Sequence, residues 1–338
     1  VSRLVFFKDK KILIIGGTGT IGKSLLQHIL KDQPKVVRIF SRDEYKQFML
    51  ENEIGPRKDI RFLIGDVRDY DRVLHAMDGI DYVFHTAAMK HVPACEYNPY
   101  EAVLTNIIGT NHVIKAAVAQ NVKKVVFTSS DKAISPTNAY GATKLTAERL
   151  ISAAQYSKGR AETVFSCVRF GNVMGSRGSV VPLFTEQILK QKKVTVTDLN
   201  MNRFMMTLDQ ATSLLISALK ESQGGEIFIL KMPVISLRDL VSVVVEETCK
   251  NHNLNVDEIE IQEIGLRPGE KMYEELMTHD ESTMAFELPE MFVIPSAFGE
   301  KNHYTQAKKA TEGTYSSNDQ EQMSKGEVLT LLKSQKLI

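Results

Sequence analysis

The chain has 338 residues, 43% hydrophobic and 25% charged, an ordinary composition for a globular protein with a sizeable core. Lys and Arg number 42 against 41 Asp and Glu, a net charge of +1, so the basic excess of a nucleic-acid binder is missing. No run reaches the roughly 20 apolar residues of a membrane span. Cys95, Cys167 and Cys249 lie far apart with no CxxC, which argues against a disulfide framework or a metal site and for a reducing, cytoplasmic setting. In chain order, β-branched apolar runs at Lys11–Ile15, 36–40, 61–64, Tyr82–His85 and 124–128 read as strands, with amphipathic stretches such as 21–30 and 102–118 between them. A helix over 138–154 and a strand over 163–169 continue the alternation. Such nearly unbroken apolar strands are covered on both faces, and strands separated by helices build a parallel, doubly wound sheet. Beyond residue 175 a helix is predicted over 208–219, a strand over 226–230, and an amphipathic helix over 237–245 with Ser236 as N-cap. Residues 301–325 turn polar, predicting an extended or weakly ordered tail that ends in a short helix near 327–333. The expected division is 1–175, 176–300 (a smaller α/β lobe packed on the first) and a tail, 301–338.

The first strand runs into Gly16-Gly17-Thr18-Gly19-Thr20-Ile21-Gly22 and then a helix. Glycines there let the backbone approach a pyrophosphate, and the helix N-terminus offers N–H groups and a favourable dipole. The fold class is therefore α/β, a Rossmann-type doubly wound sheet that binds a dinucleotide, with Gly16, Thr18, Gly19, Thr20, Ile21 and Gly22 as its phosphate loop. An NAD site usually places an acid at the end of the second strand. Here Ser41 and Arg42 stand there, with Lys46 one turn on, which favours the 2′-phosphate of NADP. The alternative is that Arg42 and Lys46 only pair with Asp43 or Glu44.

The fifth strand ends Ser129-Ser130-Asp131-Lys132, and Tyr140 and Lys144 follow on one helix face, four residues apart. A free tyrosine is a poor base at neutral pH, and an adjacent lysine favours its phenolate. Ser130 supplies a hydroxyl for the relay. The added acid and amine, Asp131 and Lys132, suit a reaction that also moves a proton on carbon and expels water. The plainer alternative is a loop carboxylate and a solvated lysine.

The spacing Gly16-x-x-Gly19-x-x-Gly22 resembles the extended short-chain dehydrogenase/reductases. By that likeness Asp66 and Val67 contact the adenine, while Ala87, Ala88 and Lys90 lie by the phosphates and nicotinamide. The string Thr128-Ser-Ser-Asp-Lys-Ala-Ile-Ser-Pro-Thr-Asn-Ala-Tyr-Gly-Ala-Thr-Lys144 resembles the UDP-N-acetylglucosamine 4,6-dehydratases. So do Phe40-Ser-Arg-Asp-Glu44, Ala87-Ala-Met-Lys-His-Val-Pro93, Arg203-Phe-Met-Met-Thr207 and Arg267-Pro-Gly-Glu-Lys271. The likeness, over about residues 8–295, is greatest to the inverting enzymes of pseudaminic acid synthesis. It implies that Tyr140, with Lys144, takes the C4 hydroxyl proton. It also implies that Lys132, its pKa lowered by burial, takes the C5 proton, and that a protonated Asp131 gives its proton to the leaving C6 hydroxyl. NADP, tightly bound, is recycled within the reaction. Lys90, His91, Asn172, the 175–178 segment, Arg203, Arg267 and Glu270 would bind the UDP-sugar, and a homo-oligomer is implied. Some relatives carry Met in place of the tyrosine; Tyr140 favours inversion at C5.

Overall fold

Strands without polar alternation need cover on both faces, and these strands have it. The computed structural model describes residues 5–176, 179–298, 304 and 307–338. Strands β1 (Lys11–Ile15), β2 (Val36–Ser41), β3 (Ile60–Ile64), β4 (Tyr82–His85), β5 (Lys124–Ser130) and β6 (Val164–Phe170) lie parallel in the order β3-β2-β1-β4-β5-β6. Ile227–Leu230 continues the parallel sheet beyond β6, and Met291–Ile294 and Phe286–Glu287 extend it antiparallel. Helices Thr20–Leu30 and Leu208–Glu221 pack together in one layer, while Tyr70–Met77, Gly109–Ala119 and Ala139–Ser157 form the other. Register brings Ile14 beside Ile39 and Phe84, all fully buried. Each such side chain contributes about 1.5–3 kcal/mol of transfer free energy.

Between β1 and β4 the chain order reverses, the point at which open α/β sheets bind ligands. The loops after these two strands meet there. Gly16 has φ +84°, and a Cβ on it would stand 2.7 Å from the Ala87 nitrogen.

The second lobe has its own core. Helices Val180–Gln191, Leu237–His252 and Lys325–Ser334 bury Phe184, Ile188, Leu240, Val244, Val328 and Leu332 against Val194 of the strand Lys193–Val196. A small sheet of Val234–Ser236, Asn202–Met206 and Asn172–Val173 joins the lobes. Met201, Met205 and Met206 are all buried.

Two predicted elements differ. The stretch predicted as one helix over 102–118 is Pro99–Ala102, a π-helical turn Val103–Ile108, then Gly109–Ala119. The wider turn brings the buried Asn106 inward, where it accepts from Met89 N at 2.8 Å and donates to Met89 O at 2.9 Å and Thr143 Oγ1 at 3.0 Å. A buried amide that meets its partners this way stabilises an irregularity that sequence periodicity does not show. The polar tail, of which residues 301–303 and 305–306 lie outside the described residues, is built into the fold. Lys308–Lys309 pairs with Phe286–Glu287, and Tyr315–Ser316 with Glu275–Met277. Ser236 begins its helix without a side-chain cap bond.

Candidate active site

A cavity of about 850 Å³ runs from the glycine loop, past Tyr140, into the second lobe. That is the size of a site for a large ligand. The nominated residues from all parts of the chain border it: Gly16 and Thr18 to Gly22 of the loop, the rim Ser41, Arg42, Lys46, Asp66 and Val67, and Ala87, Ala88, Lys90 and His91 after β4. Ser130, Asp131, Lys132, Tyr140, Lys144, Asn172, Arg203, Arg267 and Glu270 complete the wall. Gly175 and Ser176 also border it, while Arg177 and Gly178 of the predicted 175–178 segment lie outside the described residues.

The glycine loop fits a dinucleotide pyrophosphate. A Cβ on Gly22 would meet Gly17 at 2.5 Å, so backbone stands where side chains would block an approach. The helix that follows has Gly19 at its N-cap and no side-chain cap bond, which leaves its N-terminal dipole facing the cavity. At the adenosine end the Ser41 hydroxyl accepts from Gln47, and Arg42, 68% exposed, stands 3.8 Å from Asp66. Lys46 pairs with Asp43, the alternative weighed for it, and Asp43 caps the next helix. Arg68, which sequence reasoning missed, holds Asp66 at 2.8 Å. Burial opposes that ionisation, but the Arg68 hydrogen bonds keep Asp66 below the ordinary carboxylate range.

The reactive cluster is more strongly coupled than its sequence implied. Ser130 Oγ donates to Asp131 Oδ1 at 2.6 Å, and Tyr140 is hydrogen-bonded to Ser130. Lys132 Nζ donates to both Asp131 oxygens, at 3.2 and 3.1 Å, and to Glu274 Oε1 at 3.0 Å. Two expectations are corrected here. Burial alone would lower the Lys132 pKa, but Asp131 and Glu274 outweigh it and raise it, so Lys132 is an ammonium. Burial would likewise raise Asp131, yet the Lys132 charge and hydrogen bonds, from Glu274 while that carboxyl holds its proton and from Ser130, keep it below the usual range, ionised rather than protonated. The Tyr140 phenol also departs from expectation: burial pushes it up to about 12 in the ligand-free chain. Lys144 does not offset this. Burial brings its pKa down to about 7, its Nζ donates to Thr128 O, and it lies 4.1 Å over the Phe127 ring.

Arg203 was expected to grip phosphate. Its guanidinium instead donates to the carbonyls of Asn202, Met272 and Lys271 at 2.8–3.0 Å and stands 3.4 Å from Glu274. It therefore braces the loop that carries Arg267 and Glu270 along the cavity edge. Asn172 Nδ2 donates to Glu274 Oε2 at 2.7 Å. Glu274, missed from sequence, follows Arg267-Pro-Gly-Glu-Lys271 by three residues and has no spacing signal of its own. For Asn106 the available signal was the polar pair Thr105-Asn106 between the apolar residues Leu104 and Ile107. Among the described residues no group of His, Cys, Asp and Glu could hold a metal ion.

A switch point between β1 and β4, a glycine cradle there and a Tyr-x-x-x-Lys helix beside it define an extended short-chain dehydrogenase/reductase fold. The chain belongs to the polysaccharide biosynthesis protein family, whose model matches residues 12–296. It is 47% identical over 328 residues to the uncharacterized membrane protein MJ1061 of Methanocaldococcus jannaschii (97% of this chain, 96% of that one). It is 41% identical over 290 residues to the inverting UDP-N-acetylglucosamine 4,6-dehydratase of Campylobacter jejuni (85% and 83%). Over 311 residues it is 40% identical to the UDP-glucose 4-epimerase of Rickettsia rickettsii (91% and 88%). Pen from Bacillus thuringiensis, a solved structure, matches with TM-score 0.94 and 65% identity over 98% of this chain and 99% of that one. DesIV, a dTDP-glucose 4,6-dehydratase from Streptomyces venezuelae solved with NAD and TYD, shares the fold at TM-score 0.69 and 20% identity (78% and 86%). The chain is thus a member of the nucleotide-sugar dehydratase and epimerase superfamily. No helix among the described residues is long and apolar enough to cross a membrane.

Proposed function

We propose that this chain is an NADP-dependent 4,6-dehydratase that converts UDP-N-acetylglucosamine to a UDP-4-keto-6-deoxy-N-acetylhexosamine with inversion at C5. The observation that carries this reading is the Asp131–Lys132 pair on the same cavity wall as Tyr140 and Lys144. A 4-epimerase or simple ketoreductase needs the hydroxyl, Tyr and Lys but has no work for the pair. Residues 16–22 would hold the pyrophosphate, Asp66 and Val67 the adenine, Ala87 and Ala88 the nicotinamide side, and Ser41, Arg42 and Lys46 the 2′-phosphate. When bound, the dinucleotide supplies a hydride acceptor at C4 and a hydride donor at C6.

The protein's own groups supply the proton movements. The phenol–Ser130–Asp131 chain is a route by which Tyr140 passes its proton inward as it takes the one on the C4 hydroxyl. Asp131, ionised at rest, is protonated by that transfer and so becomes the acid for the C6 hydroxyl, which leaves as water. The 4-ketone acidifies H5, which Lys132 removes, and C5 inverts when a proton reaches it from the opposite face of the ring. Lys144, one helical turn from Tyr140, would support the phenolate in its protonated form, which it takes up below about pH 7. His91, Lys90 and Asn172 border the sugar, and Arg267 and Glu270 the uridine diphosphate, with Arg203 bracing them. The Campylobacter relative is named for this reaction, and by the resemblance stated above Tyr140 favours inversion.

A cytoplasmic setting is consistent with three cysteines that are all free and buried. A homo-oligomer is consistent with Tyr97 and Tyr100 standing 88% and 69% exposed on the first lobe. The test is incubation with UDP-N-acetylglucosamine in deuterium oxide, reading product mass and C5 configuration by NMR. Loss of one water with deuterium at C5 is expected. The rival reading, a UDP-sugar 4-epimerase, is favoured by the Rickettsia relative and requires a product of unchanged mass. Titrations with NADP⁺ and NAD⁺ side by side decide the cofactor.

A further inference from the structure

Behind Lys132 stands a carboxyl group that is absent from the cavity wall. Glu274 is 5% exposed, with Oε1 3.0 Å from Lys132 Nζ and Oε2 accepting from Asn172. The C-terminal tail holds its backbone: Glu274 N donates to Ser317 Oγ at 2.9 Å, and Ser317 N to Glu274 O at 2.8 Å. The charged groups facing it are Asp131 and Lys132 from the turn after β5 and Arg203 from Asn202–Met206. Burial first, and then the Asp131 charge, raise its proton affinity to about 7.

An ammonium has three donors and no acceptor, so Lys132 as found cannot take a proton from carbon. It must first lose one, and above about pH 7, where Glu274 is a carboxylate, its Oε1 is placed to receive it. We propose that Glu274 is a positioning residue that discharges Lys132: one proton passes from Nζ to Oε1, leaving a neutral amine at the cavity and a carboxylic acid behind it. The inference rests on the dehydratase reading above. The amine lone pair then takes the C5 proton while the C5–H electrons pass into the enolate of the 4-ketone. C5 is then protonated from the opposite ring face by a proton drawn from solvent, Lys132 keeps the abstracted proton as its ammonium, and Glu274 releases its own to solvent, so both groups regain their resting charge. Oε2 remains free of the transferred proton throughout, so its bond from Asn172 survives.

The test follows C5 exchange directly. The whole chain is incubated with the UDP-4-keto-6-deoxy sugar in deuterium oxide, and loss of the H5 signal is read by NMR, a step that needs no hydride transfer. C4 oxidation of UDP-N-acetylglucosamine is read separately as the nicotinamide absorbance of the first turnover. Glu274→Gln keeps the side-chain shape but accepts no proton. It is expected to slow C5 exchange about a hundredfold, the low end of what a positioned base contributes, with C4 oxidation and KM held. Glu274→Asp is expected to restore part of the loss. Wild-type exchange should rise as pH passes about 7, the value at which Glu274 ionises, and the Gln variant should lack that rise. Unchanged exchange in Glu274→Gln beside an active wild type overturns this proposal alone. A wild type that neither exchanges H5 nor loses water overturns the dehydratase reading, and the proposal with it. If circular dichroism shows the Gln variant unfolded, the Asp variant decides: selective loss of C5 exchange supports the proposal, and equal loss of both steps overturns it.

Discussion

Burial governs the chemistry of single residues here. Lys144 is 1% exposed and Tyr140 8%, and each is pushed toward its neutral form. For Lys144 the consequence for stability has a definite sign. With a folded value near 7 against 10.5 for the free side chain, the unfolded chain binds one more proton between those limits. Stability therefore carries a penalty below about pH 7 that is relieved as pH rises toward 10.5. Lys144→Met removes the charge and keeps the stem. It should lower kcat by about 10²–10⁴-fold while raising the urea midpoint of the ligand-free chain at pH 7, with a smaller gain at pH 9. A midpoint that falls equally at both pH values would contradict this account. The Tyr–Lys spacing was legible in the sequence because four residues make one helical turn. The charge states were not, because they depend on what lies beyond the helix.

At the scale of elements, a buried ion network fastens the Tyr140 helix to the sheet and to the second half of the chain. Arg169, fully buried on β6, donates to Glu148 at 3.0 and 2.7 Å and to both Glu281 oxygens at 2.7 Å. Removing the guanidinium leaves buried carboxylates without a partner, so Arg169→Leu should cost about 3–5 kcal/mol in denaturant unfolding. Burial opposes ionisation of Glu281, yet the Arg169 hydrogen bonds and charge hold it below its usual 4.5. A lowered carboxylate stabilises the fold above its unfolded pKa and loses that contribution as pH falls through the folded value. The wild type should thus lose stability on acidification below about 4.5, and the variant should lose less. The Arg169 network joins residues over a hundred positions apart, and the Asn106 clamp reaches Met89 and Thr143, 17 and 37 positions away; both lie beyond the reach of local pattern.

In the whole molecule the last thirty residues are structural. Val328 and Leu332 are fully buried in the second core, and Tyr315, Ser316 and Ser317 pack behind Glu274. Leu332→Ala should cost about 2–5 kcal/mol in chemical denaturation. Its unfolding transition should also become less cooperative if the lobe it anchors loosens before the parallel sheet. Polar composition hid this segment: its strands are two residues long and gain their partners only from 275–277 and 286–287.

The sequence by itself determined what depends on near neighbours. Unbroken apolar runs set the parallel sheet, glycines at 16, 19 and 22 set the cradle, and helical period set Tyr140 above Lys144. It also brought Asp131 and Lys132 to the end of a central strand. Only the tertiary structure decided how those groups are charged and supported. Lys132 meets Glu274 across 142 positions, Arg203 spends its donors on carbonyls 68 and 69 positions away, and the tail closes behind both. The physical reason is that period and turn geometry are local properties of a chain. Desolvation and the attraction between charges are set by distance in space, which folding alone establishes.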